Sequence, residues 1–210
     1  MIGRNSLQDE SMLNGVHNKW EKFLNPDELK PYLLFCSIFI TCYEMLKETF
    51  IDRLVVFYSD SYDKSGLKIG TNYREKVLSL DDKQRPLQAS INWHKQKSII
   101  DENDIKAFDR ITECRNTITH RLLSSFLESP IVDIGQIFNE IVNLIYKVEK
   151  WWIINFELEI QPIEDAEEID YEGIMPGAIM TIRLLVDIAL GDKEESEFYY
   201  KEFIKSYKKE

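Results

Sequence analysis

At 210 residues and 44% hydrophobic content, the chain has enough apolar material for one substantial core, and its 8 Gly and 6 Pro leave few breaks. Long elements and an all-α class are therefore expected. A formal net charge of -11 argues against a general nucleic-acid coat or a basic membrane binder.

Residues 1–5 read as a loose start. Ser6 to Leu24 reads as a short helix with Leu7, Met12, Val16, Trp20 and Phe23 roughly on one side. Asn25-Pro26-Asp27-Glu28 then gives a helix start: an Asn cap, Pro in the first turn, and acids at the positive end of the dipole. The helix runs on from Tyr32 to about Tyr58, with a seam of Phe35, Phe39, Cys42, Leu46, Phe50, Leu54 and Phe57 at threes and fours. Its most apolar run, Tyr32 to Tyr43, is ended by Glu44 and is too short to span a bilayer.

Ser59 to Gly70 is rich in Ser, Asp and Gly and reads as a loop. Tyr73 to Leu80 and Leu87 to Lys97 are short helices separated by Asp81-Asp82 and Pro86. They carry Arg74, Lys76, Lys83, Arg85, Lys95 and Lys97 together with Trp93 and His94. A solvated basic face with Trp93 turned inward is the preferred reading; the alternative is a groove for nucleic acid.

Asp101 to Phe126 forms the central helix, uninterrupted by Gly or Pro, with Asp101 and Asp104 placed as an N-cap and its partner. Ile105, Phe108, Ile111, Ile118, Leu122 and Phe126 make its seam, and Arg115 stands where a further apolar residue is expected. A second stripe beside the seam holds Asp109, Glu113, Asn116 and His120. Asp133 caps a further helix to about Phe156, through Ile134, Ile137, Ile141, Ile145, Val148 and Trp152. Trp151 and Trp152, being adjacent, cannot share its face.

Gln161 to Gly173 is an acidic linker or lid, Ala178 to Leu190 an apolar helix ended by Gly191, and Glu194 to Lys209 a polar terminal helix. The expected architecture is an up-and-down helical bundle of four to five core helices with extra terminal helices. Residues 1–160 form the bundle; residues 161–210 form an acidic linker and a helical extension packed on it. Charge is uneven: residues 64–121 hold 12 Lys and Arg against 8 Asp and Glu, whereas residues 159–210 hold 6 against 14. Cys36, Cys42 and Cys114 lie at no ligand spacing in apolar helical settings, as expected of reduced core thiols in a cytoplasmic protein.

The chemistry-bearing string is Arg115-Asn116-Thr117-Ile118-Thr119-His120. On a helix, Arg115 and His120 point about 140° apart, whereas Asn116 and His120 point the same way. Two copies of the helix meeting about a twofold axis would bring both sets into one cleft. Such a cleft suits phosphodiester chemistry. A histidine moves protons near neutrality, a guanidinium matches a charged phosphorane, and an asparagine holds the phosphate or fixes the imidazole. No metal or other cofactor is called for, and the sequence offers no clustered ligands for one. Arg110 and Arg121 flank the motif and, with Lys95 and Lys97, are candidate contacts to RNA phosphates; i,i+4 pairs with helix acids are an equal reading for the two arginines. Glu113, Asp109 and Glu44 are candidates to orient the motif; Glu113 and Asp109 read equally as a solvated face, and Glu44 reads first as a surface charge, with reach to Arg115 from the neighbouring helix as the alternative.

This string, on a long helix within a bundle, resembles the HEPN superfamily, whose diagnostic element is Arg, often a polar residue such as Asn, and His after four to six intervening positions. Arg115, Asn116 and His120 match it over a span of roughly residues 30–156. The resemblance implies a four- to five-helix fold, a homodimer that joins two motifs, and metal-independent RNA cleavage. The setting it implies is a prokaryotic toxin or an abortive-infection, anti-phage effector, with an antitoxin protein as partner. One toxin subgroup has a Tyr two residues after the His that its antitoxin modifies. Leu122 stands there in this chain, which argues against silencing by that route. The alternative expectation is a non-catalytic helical interaction or RNA-binding module, suggested by the net acidity and the Trp151-Trp152 pair.

Overall fold

A computed structural model describes residues 15–59, 61–63, 66–68, 70–128, 133–160 and 169–207. The fold is all-α, as composition and periodicity require. Helix α1 occupies residues 15–24, and α2 spans Pro26–Phe57. Asn25 caps α2 by accepting from the Asp27 N–H at 3.1 Å, with Pro26 in the first turn where its missing N–H costs nothing.

After α2, two three-residue strands, β1 (Ser61–Asp63) and β2 (Gly66–Lys68), pair antiparallel with Tyr62 opposite Leu67. This small hairpin lies within the segment expected to be loop. It is too short for an alternating pattern to reveal. Next come α3 (Thr71–Lys76), a 3₁₀ turn (Leu78–Leu80) and α4 (Pro86–Gln96). Two further long helices follow, α5 (Glu102–Leu127) and α6 (Ile134–Trp152). α6 widens into a π turn (Ile153–Glu157) and ends in the single turn α7 (Leu158–Ile160). The chain closes with α8 (Gly177–Leu190) and α9 (Lys193–Tyr207). Residues 129–132, between α5 and α6, and most of the acidic linker expected at Gln161 to Gly173 lie outside the described residues.

α2 is the hub and packs against α4, α5, α6 and α8. Side-chain contacts give the helix directions. Tyr32 meets Phe126 and Tyr43 meets Phe108, so α2 and α5 are antiparallel. Phe35 meets Phe138 and Phe57 meets Trp152, so α2 and α6 run the same way. Arg110 pairs with Glu140 and Lys147 with Asp104, so α5 and α6 oppose. Phe39, Cys42, Leu46, Phe50 and Leu54 of α2 are buried against Ile111 and Ile118 of α5 and Ile141, Ile145 and Val148 of α6. Truncating any one of the Phe, Leu or Ile side chains among them to Ala costs about 2–5 kcal/mol. The seam frays at its end, where Phe57 is exposed. Among the described residues α2 is the one helix long and apolar enough, by length and composition, to cross a membrane. Here α2 is the centre of the bundle.

Below the hub, α4 closes one end of the core. The Ser98 backbone turns left-handed at φ 57 just past α4, donating to the Lys95 carbonyl while Ile99 donates to that of His94. Trp93 is buried, in line with the preferred reading of this stretch. It stacks nearly parallel to Trp152, with Trp151 set edge-on to both, so the adjacent tryptophans share one aromatic cluster from different faces. Arg53 of α2 spans to Glu149 and Glu157 at 2.6 and 2.7 Å, holding the π turn in place. α8 packs on α2 and α6, and α9 on α8. Gly191 joins the last two helices where a Cβ would come within 2.3 Å of the Asp187 carbonyl oxygen, so no other residue fits.

His94 lies wholly inside, with Nδ1 2.7 Å from the Ser90 carbonyl. That carbonyl can only accept, so Nδ1 carries the proton and Nε2 is left bare, without a partner. Burial pushes its pKa from 6.5 down to about 4. Below pH 6.5 the unfolded chain takes up a proton that the native chain refuses. Native stability therefore falls as pH drops from 6.5 toward 4, by about 3 kcal/mol in all. Chemical denaturation between pH 5 and 7 should show this slope in the wild type, and His94→Leu should flatten it.

Candidate active site

α5 positions all three motif residues. Its start is fixed by a reciprocal cap: Asp101 accepts from the N–H groups of Asn103 and Asp104, and the Asp104 carboxylate accepts from the Asp101 N–H at 2.8 Å. With the start fixed, helical periodicity sets each direction. Ile111, Cys114 and Ile118 face inward and are buried. Arg115 lies one step round from Cys114, so it forms the margin of the seam rather than its centre, with 31% of its side chain exposed.

The Arg115 guanidinium rests on the ring of Tyr43, 5.4 Å from its centroid. Nη2 is 3.7 Å from Glu44 Oε1, and Nη1 donates a long hydrogen bond of 3.3 Å to Asn116 Oδ1. Nε is buried and has no acceptor. The other Glu44 oxygen accepts from Lys47 Nζ at 2.5 Å, and Lys47 also lies over the Tyr43 ring, at 5.7 Å. Glu44 thus stands near Arg115 while remaining 43% exposed, so it combines the surface position favoured from sequence with the less favoured approach to Arg115. Half-exposed pairs of this kind are worth only about 0.2–1 kcal/mol, so the contact sets geometry more than stability.

Asn116 and His120 are exposed on the outer side of α5, one turn apart. Among the described residues no hydrogen bond or ion pair holds His120. Asp109 and Glu113 are also exposed, and neither carboxylate is tied to the imidazole. Directly after His120 the helix kinks: Arg121 has φ -137 and ψ 30. The turn leading in carries Thr117 and Thr119, whose hydroxyls bond back to the carbonyls of Glu113 and Arg115. Beyond the kink, Ser124 Oγ donates to the Arg121 carbonyl and Tyr32 Oη to that of Leu122 at 3.4 Å. Hydroxyls thus take up the carbonyls at the break, which no Gly or Pro marks in the sequence.

Of the four candidate RNA contacts, three already carry a carboxylate. Arg110 is forked on Glu140, with Nη2 at 2.6 Å, Lys95 pairs with Glu102 at 2.6 Å, and Arg121 stands 3.9 Å from Glu128. Lys97 lies over the buried Trp93 ring at 5.8 Å. All four are exposed, and exposed pairs exchange partners at small cost. Sequence reasoning missed Tyr43 and Lys47. The two lie one helical turn apart on α2, on either side of Glu44, a spacing that by itself does not point to Arg115. Among the described residues no group of three or more His, Cys, Asp or Glu side chains converges as metal ligands.

Arg115→Gln removes the contact with Tyr43 and the loose pair with Glu44 while leaving the buried Ile111-Cys114-Ile118 face intact. A loss of no more than about 1–2 kcal/mol is expected in urea denaturation, with helical circular dichroism unchanged. No family model, curated protein or solved structure matches the chain.

Proposed function

We propose that the protein is a metal-independent endoribonuclease of the HEPN type, acting as a homodimer in a prokaryotic toxin or abortive-infection setting. The observation that carries the reading is the state of Arg115 and His120 on α5. The arginine is held half-buried with an unfilled N–H, and the histidine stands one turn beyond Asn116, unengaged and open to solvent.

In this reading His120 takes the proton from a ribose 2′-hydroxyl. The 2′-oxygen then bonds to the adjacent phosphorus, and the bond from phosphorus to the 5′-oxygen breaks. The proton passes to the departing 5′-oxygen, from the same imidazole or from His120 of a second copy. Arg115 offers its fork to the extra negative charge on the phosphorane, and Asn116 holds a non-bridging oxygen. The products are a 2′,3′-cyclic phosphate and a 5′-hydroxyl. Because Arg115 turns toward α2 and His120 toward solvent, a second copy is what would bring one protomer's imidazole to the other's guanidinium.

Incubation of the purified protein with mixed RNAs should give ends in 2′,3′-cyclic phosphate. His120→Ala should lower the rate by about 10²–10⁴-fold, and chelators should leave it unchanged. Inertness toward diverse RNAs, or equal cleavage by His120→Ala, would overturn the proposal. A second reading, a non-catalytic helical interaction module, draws on α9, where Tyr200, Phe203 and Tyr207 are 63–72% exposed and no residue is buried. In that case His120→Ala leaves both binding and cellular effect intact.

A further inference from the structure

Around Tyr43 two cations share one carboxylate. Lys47 Nζ is 2.5 Å from one Glu44 oxygen and Arg115 Nη2 is 3.7 Å from the other, and both cations lie over the same ring. Lys47 is well served by this arrangement and Arg115 is not. Its Nε has no acceptor, its Nη1 makes one long bond, and its Nη2 stands beyond hydrogen-bond reach of Glu44. A carboxylate has two oxygens in one plane, and Lys47 has claimed one of them. A phosphoryl group has more oxygens, tetrahedrally disposed, and can serve the guanidinium fork and the ammonium together. With Glu44 in place the three side chains sum to one positive charge; with Glu44 swung away they present two.

Resting on the assignment of Arg115 as the group that meets phosphate, we infer that Glu44 is the internal occupant of an oxyanion seat. Arg115 and Lys47 form the seat over Tyr43, and a phosphoryl group of the substrate strand displaces Glu44 from it. Lys47 is then a substrate contact, and Glu44 is a competitor that weakens binding of any strand unable to evict it. Glu44 is 43% exposed and has room to leave.

The test is calorimetric titration of the 210-residue chain with a short oligoribonucleotide methylated at every 2′-oxygen, so that it binds without being cut. The strand is used with and without a 5′-phosphate, and inorganic phosphate is run beside it. Glu44→Gln should bind the strand about tenfold more tightly than the wild type, as expected for removing one anion from beside a phosphate. Glu44→Ala should move the same way. Lys47→Met should bind more weakly, lower the salt dependence by about one ion, and cancel most of the gain when combined with Glu44→Gln. A gain shared by both strands assigns the seat to a backbone phosphodiester; a gain confined to the phosphorylated strand assigns it to a terminal phosphate. Unchanged or weaker binding by both Glu44 variants, with native thermal denaturation, overturns the inference and leaves Glu44 as a prop for the guanidinium. The two proposals fail separately. If Glu44→Gln gains affinity but the wild type cuts no RNA, the seat stands and the nuclease does not. If cutting depends on His120 while Glu44→Gln gains nothing, the reverse holds.

Discussion

An arginine at the margin of a hydrophobic seam has to be held by something, and here the ring of Tyr43 holds it. α2 and α5 cross antiparallel, bringing that ring beneath the guanidinium at 5.4 Å while Tyr43 itself is buried against Phe108. The face of an aromatic ring attracts a cation without neutralising it. Arg115 therefore keeps its charge and most of its hydrogen-bonding capacity. A buried carboxylate in the same place would have consumed both. The direction of every motif side chain, Arg115 included, is set by the cap at Asp101 and the buried line Ile111, Cys114 and Ile118, which fix the rotation of α5.

The rest of the bundle makes this crossing rigid. α6 covers the other flank of α2 and opposes α5, with Ile141, Ile145 and Val148 buried in the shared core and the half-exposed pairs Arg110–Glu140 and Lys147–Asp104 bridging the two helices at separate levels. The aromatic cluster of Phe57, Trp93, Trp151, Trp152 and Phe156 closes the far end. Function is proposed at the opposite, more polar stretch of α5, where the helix breaks just beyond His120. A kink stabilised by Ser124 and Tyr32 hydroxyls gives this segment a shape that a straight helix would lack.

Much of this was legible because long helices write their burial at threes and fours. Phe39, Cys42, Leu46, Phe50 and Leu54 were named from spacing alone, and all are buried. The caps Asn25, Asp101 and Asp133 were legible because short polar side chains before apolar runs have few other uses. Features without a period were not. The hairpin at residues 61–68 is too short, the kink at Arg121 has no Gly or Pro to announce it, and the π turn after Trp152 depends on Arg53, far away in sequence. At the candidate site the string on α5 was readable as a local pattern. Tyr43 and Lys47 were not, because their meaning comes from a crossing that only the fold supplies.

The central claim is that the 2′-oxygen of the RNA itself attacks the phosphorus, with His120 moving the proton. The most direct measurement places a single 2′-deoxynucleotide on the 5′ side of a mapped cleavage position in an otherwise ordinary RNA. The account predicts that cleavage vanishes at that position and continues elsewhere. Cleavage persisting at the deoxy position would contradict it, as would an all-ribose strand left whole.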